Sequence, residues 1–163
     1  MALDQGLRRL WLHRVTFGLA ALYNVSWGLF AAADPQWLFR FAGMPLLNHP
    51  EIYACLGMVV GVYGLAYAEV ARRPEHGFAL AAVGLLGKVL GPIGMLHLAA
   101  TGVWPVRAAV LCLTNDVIWW VPFALYLKDA WPLWRQTWRA DQGGGAAPAR
   151  PRPACERAAS PPP

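Results

Sequence analysis

The chain has 163 residues, 57% hydrophobic and only 14% charged, with a mean hydropathy of +0.35, which excludes an ordinary soluble domain of this size and fits an integral membrane protein. One membrane domain is all that this length accommodates. The formal charge of +5 does not imply nucleic acid, because the basic residues follow helix ends and Arg150, Arg152 and Arg157 have no aromatic residues interleaved with them.

Four apolar segments, 13–33, 52–71, 78–101 and 106–128, each suffice to cross a hydrocarbon core of about 30 Å. They predict an all-α fold, an integral membrane four-helix bundle formed by residues 1–130. The connections carry breakers where turns are needed: Asp34-Pro35 and Met44-Pro45, then Arg72-Arg73-Pro74, then Trp104-Pro105.

The first segment follows Arg8, Arg9 and Arg14 and carries Asn24, Trp27 and Gly28 near its middle. Ala31-Ala32-Ala33 before Asp34 resembles a signal-peptide cleavage site, but the apolar run exceeds a signal core of about 7–15 residues, which favours a retained helix. The second segment presents Tyr63 and Tyr67 at mid-depth, small residues Gly57, Gly61 and Gly64, and Glu69 placed to snorkel towards Arg72 and Arg73. Cys55 lies near its start; with Cys112 and Cys155 it makes an odd set without CxxC or zinc spacing, so neither a disulfide framework nor a metal site is expected.

The third segment contains Gly84, Gly87, Gly91 and Gly94 at spacings of three, four and three, which places them along one helix face and predicts a close-packing seam. Lys88 emerges beside that face, where a full charge at the bilayer centre costs roughly 2.5–3.5 kcal/mol and therefore needs a reason. Pro92 has no N–H to give to the carbonyl four residues earlier, and that carbonyl belongs to Lys88 itself, so a kink and a freed acceptor are expected at the ammonium. His97, near the far end of this helix, reads as a hydrogen-bonded interface residue.

The fourth segment carries Asp116 at similar depth, flanked by Cys112, Asn115, Trp119, Trp120 and Phe123, and Pro122 frees the carbonyl of Ile118. Consecutive helices run in opposite directions, so Lys88 and Asp116 are expected to pair inside the bundle. Beyond the bundle, Trp131, Trp134 and Trp138 share one face with Lys128, Arg135 and Arg139 nearby, predicting an interfacial segment over 131–140 starting near Pro132. Residues 141–163, rich in Pro, Ala and Arg, predict a disordered tail.

Lys and Arg fall eight to two on the side of the termini and the middle loop: Arg8, Arg9, Arg14, Arg72, Arg73, Lys128, Arg135 and Arg139 against Arg40 and Arg107. This bias predicts a multi-pass protein with both termini and the middle loop in the cytoplasm.

A charged pair in an aromatic surround describes a small-molecule pocket, and equally a structural lock or a path for protons. The expected ligand-binding set is Lys88, Asp116, Asn24, Asn115, Trp119, Trp120 and Tyr63, with no catalytic residue, since P-loop, HExxH and GxSxG signatures are absent from the sequence. A binding role predicts that Lys88→Met folds and fails to bind; a structural role predicts that it fails to accumulate.

Gly87-Lys88-Val-Leu-Gly91-Pro92-Ile-Gly94 and Asn115-Asp116-Val-Ile-Trp119-Trp120-Val-Pro122, set in four short helices, resemble the DoxX-like group of small membrane proteins over roughly residues 8–130. The resemblance implies a bacterial-type inner-membrane protein, sometimes a partner of quinone-linked oxidoreductases, and carries over no catalytic residue. The leading expectation is a mid-membrane pocket for a lipophilic molecule such as a quinone or lipid, with lipid bilayer as surroundings and no nucleic acid partner. The rivals are a subunit docked on an oxidoreductase or a second copy through its glycine faces, and a small proton-coupled transporter, for which four helices leave little room.

Overall fold

The structure, a computed structural model, describes residues 7–143. In chain order it contains α1 (Leu10–Ala33), α2 (Trp37–Ala42), α3 (Pro50–Arg72), α4 (Phe78–Ala100), α5 (Val106–Ala109), a π-helical turn (Leu113–Val117) and α6 (Ile118–Gly143), with no strand among the described residues. Four stretches are long and apolar enough to cross a membrane, Leu10–Ala33, Pro50–Arg72, Phe78–Ala100 and Val106–Ala140. Their burial is inverted relative to a soluble protein: Leu19, Leu29, Val62, Leu90 and Leu96 are exposed, whereas His13, Asn24, Lys88 and Asp116 are buried. Apolar side chains outside and polar ones inside suit hydrocarbon as the solvent, and the chain is a multi-pass four-helix membrane protein.

The closest helix pair is α1 against α3, and glycine makes it so. A Cβ on Gly28 would stand 2.6 Å from the Gly57 carbonyl oxygen and 2.7 Å from the Gly61 backbone, and one on Gly64 would stand 2.8 Å from the Ala21 carbonyl oxygen. Backbone can approach backbone this closely only where side chains are missing. Gly57, Gly61 and Gly64 are therefore occupied by the chain's own first helix. The glycines of α4 behave otherwise, correcting the expected seam: Gly87 and Gly94 have nothing within 4 Å, Gly84 receives the Tyr67 ring, and Gly91 faces Asp116.

At the end of the bundle where α1 begins and α6 continues, Phe17, Tyr67, Phe123 and Tyr126 form a buried aromatic core, with centroids 4.4 Å apart for Phe17–Phe123 and 4.8 Å for Phe17–Tyr126. Tyr126 donates its hydroxyl to the Pro74 carbonyl at 2.5 Å, fastening the α3–α4 turn to α6. Beside it Asp129 receives both arms of the Arg9 guanidinium, at 2.9 and 2.7 Å, and lies 2.9 Å from Nε2 of the buried His13. The sequence reading passed over this cluster, whose signal was a histidine one turn into an apolar helix and a carboxylate after the last one. Asp129→Ala is expected to lower the unfolding midpoint in detergent, because a buried His13 left unpaired costs about 1–3 kcal/mol. An unchanged midpoint would show that the cluster holds nothing.

At the opposite end α2 closes on Gly43 in the left-handed region, φ 66°, and Arg107 donates to the Ala42 carbonyl. Gln36 clasps the Leu47 backbone with two hydrogen bonds of 2.8 and 3.0 Å, and Phe39 packs between Tyr53 and Trp104. Glu69 pairs with Arg72 at 2.7 Å, as its position near the end of α3 suggested.

Two parts of the last segment differ from expectation. Its irregularity falls at the π turn, one turn before Pro122, where the Ile118 N–H reaches back five residues to the Leu113 carbonyl. Residues 131–140 begin no helix of their own: α6 runs through Pro132 to Gly143, and Trp134 stacks on Phe78 of α4 at 4.8 Å and on Trp131 and Trp138. The remainder of the expected tail, residues 144–163 with Cys155, lies outside the described residues.

Candidate functional site

Lys88 and Asp116 do meet. Lys88 Nζ lies 3.8 Å from Asp116 Oδ1, both side chains at most one-tenth exposed, and it donates a shorter bond of 2.6 Å to the backbone carbonyl of Asn115. That carbonyl belongs to the π turn. A turn wound to i→i+5 leaves carbonyls outside the ordinary ladder, and here one becomes the nearest partner of a buried ammonium. The primary contact of Lys88 is thus a backbone dipole, with the carboxylate one step further away. Asp116 accepts from Asn115 Nδ2 at 3.1 Å.

The carbonyl freed by Pro92 is also accounted for. The indole N–H of Trp120 donates to the Lys88 carbonyl at 2.9 Å, so the side chain expected to touch a ligand seals the proline break instead. Trp119 is buried between Tyr23 and Phe123, with its ring centre 5.9 Å from Lys88 Nζ. Both tryptophans stand behind the site and support Lys88 rather than lining it.

The site itself is a cavity of about 270 Å3 bounded by Asn24 on α1, Val60, Tyr63 and Tyr67 on α3, Gly84, Gly87, Lys88 and Gly91 on α4, and Asn115 and Asp116 in the π turn. Five of the seven residues expected from sequence line it: Lys88, Asp116, Asn24, Asn115 and Tyr63. Gly87 and Gly91 contribute space where a packing seam was anticipated, Gly84 alone packing tightly on Tyr67, and the half-exposed Tyr63 and exposed Gly87 stand at its lipid-facing side. A second cavity of about 310 Å3, walled by Tyr23, Trp27, Phe30, Trp37, Leu111 and Thr114, also includes Asn115. No clue in the sequence separated this aromatic cleft from an ordinary interfacial belt, since it depends on α2 folding back against α1.

Among the described residues there is no group of three or more His, Cys, Asp or Glu side chains placed to hold a metal ion. Cys55 is exposed and Cys112 half-buried, both free, and His97 is exposed at the far end of α4.

Fold and site together define a multi-pass membrane protein whose four-helix bundle surrounds a mid-depth cavity with a buried Lys–Asp pair in its wall. No family model, no curated protein and no solved structure matches the chain.

Proposed function

We propose that this protein binds a lipophilic small molecule with a polar head, such as a quinone or a lipid, in the cavity around Lys88, Asp116 and Asn24. The observation that carries the reading is the coincidence of unfilled space with buried charge: an ion pair serving only as a lock is expected to be packed shut, and this one borders about 270 Å3. A dry cavity of about 150 Å3 already accommodates benzene, so one ring with its substituents fits. The exposed Gly87 and Tyr63 give lateral access from the bilayer, the phase in which such a ligand dissolves. A docked oxidoreductase subunit is the weaker reading, since of the two glycine faces offered for docking the one on α3 is already covered by α1, leaving only Gly87 and Gly94 of α4 open.

The test is native mass spectrometry of the full chain extracted mildly from membranes, comparing wild type with Gly87→Leu. Because a Cβ at Gly87 has no protein atom within 4 Å, the variant is expected to keep or raise its unfolding midpoint while losing a co-purifying adduct by at least about tenfold. A wild-type protein that never carries a lipophilic adduct sinks the proposal.

The location we propose is the inner membrane, which the DoxX-like resemblance implies, with both termini in the cytoplasm, which the eight-to-two distribution of Lys and Arg supports. A reporter active only in the cytoplasm should be active when fused to either end. Activity at one end alone contradicts the topology.

A further inference from the structure

Two acceptors in the cavity wall have no partner. Asn24 is 4% exposed; its Nδ2 donates to the Val60 carbonyl at 3.5 Å and its Oδ1 has nothing to accept from. Asn115 uses Nδ2 on Asp116, and its Oδ1 is likewise orphaned. Neither amide can be turned over to remove the defect: reversal of Asn24 sets oxygen against the Val60 carbonyl, and reversal of Asn115 sets it against a carboxylate. Asp116 adds a carboxylate to the same wall, and Lys88, whose nearest partner is the Asn115 carbonyl, makes no hydrogen bond to either orphan. Two specific acceptors of the wall are thus left without a donor, in a setting where unsatisfied polar groups are costly.

We infer that the head group of the ligand is a hydrogen-bond donor, a hydroxyl on an apolar body, which satisfies Asn24 Oδ1 and reaches towards Asn115 and Asp116. The inference rests on the binding reading of this cavity and narrows its ligand class. A reduced, dihydroxy quinone or a hydroxylated lipid fits it, whereas an oxidised quinone, which only accepts, leaves the orphans unsatisfied. The apolar body continues past Asn115, the residue shared by both cavities, into the cleft walled by Tyr23, Trp27, Phe30 and Trp37. In that cleft the buried indole N–H of Trp37 has no acceptor and is matched by an accepting substituent on the body.

A matched pair of ligands isolates the donor. 4-Nonylphenol and its methyl ether differ by one O–H, and the apparent Kd of each is read by thermal-shift titration of the full chain in phosphatidylcholine nanodiscs. The phenol should bind at least about tenfold more tightly than the ether, because a site built around a hydrogen bond rejects the analogue that lacks it. Asn24→Leu should bring the ratio to about one and leave ether binding unchanged. Equal binding of both compounds by the wild type overturns the donor requirement while the cavity reading stands. Binding of neither overturns both. A preference for the phenol that persists in both Asn24→Leu and Asn24→Ala overturns the role given to Asn24, and the wild-type comparison decides the donor requirement even if neither variant accumulates.

Discussion

Lys88→Met lowers the unfolding midpoint well beyond Asp116→Asn, and the double variant recovers part of the loss: this is the expected result of a thermodynamic cycle measured in detergent. Removal of the ammonium strands two groups, the Asn115 carbonyl at 2.6 Å and the Asp116 carboxylate at 3.8 Å. Breaking a buried ion pair from one side costs about 3–5 kcal/mol, because the remaining charge has no compensation. Neutralising Asp116 strands less. Lys88 keeps its carbonyl bond and the nearby Trp119 ring, so the loss should stay near 1–2 kcal/mol.

In the double variant no charge is left buried, only the carbonyl is unpaired, and the coupling appears as a positive rescue relative to Lys88→Met. Equal losses in the two single variants would mean that the carboxylate, not the π-turn carbonyl, is the main partner of Lys88. The geometry thus predicts a mixed answer to the choice between a lock and a working site. Lys88 is held as part of the fold, while Asp116, more weakly tied to it, retains acceptor capacity for a ligand. Asp116→Asn is accordingly the better variant for binding measurements.

Much of this was legible in the sequence because membrane solvent imposes strong rules. Long apolar runs fix the four helices, and a charge amid such a run has to find a partner, so the meeting of Lys88 and Asp116 followed from depth and direction alone. The consequence of Pro92 was also legible in part: a freed carbonyl on Lys88 had to be satisfied, although nothing in the sequence named Trp120 as the donor. The π turn is not legible because winding to i→i+5 has no residue signature of its own, whereas Pro122, one turn later, is a visible breaker. Glycine was misassigned for a related reason. Spacing shows that Gly84, Gly87 and Gly91 share a face, but only the neighbour decides whether that face becomes a contact or a space. The Arg9–His13–Asp129 cluster was missed because its members lie more than a hundred positions apart along the chain.

The two kinds of glycine should respond oppositely to the same substitution, which makes Gly28→Ala the sharpest test of the architecture. All three nearest atoms to a Cβ at Gly28 are backbone atoms of α3, at 2.6 to 2.7 Å, so no side chain can turn aside to make room. Helix α1 must move away from α3. Overpacking of this kind typically costs about 1–3 kcal/mol, and rigid backbone on the far side places Gly28→Ala at or above the upper end, with Gly28→Val failing to accumulate. Gly87→Ala introduces the same methyl where nothing lies within 4 Å and should stabilise α4 by about 0.5–1 kcal/mol through backbone entropy alone. The displacement at Gly28 also reaches the site, because Asn24 lies one turn away on α1 and contributes the orphaned acceptor to the cavity. Gly28→Ala should therefore lower the unfolding midpoint and erase discrimination between the phenol and its ether, whereas Gly87→Ala raises the first. If Gly28→Ala leaves both unchanged, α1 and α3 are not in the contact described, and the wall that carries Asn24 has to be placed elsewhere.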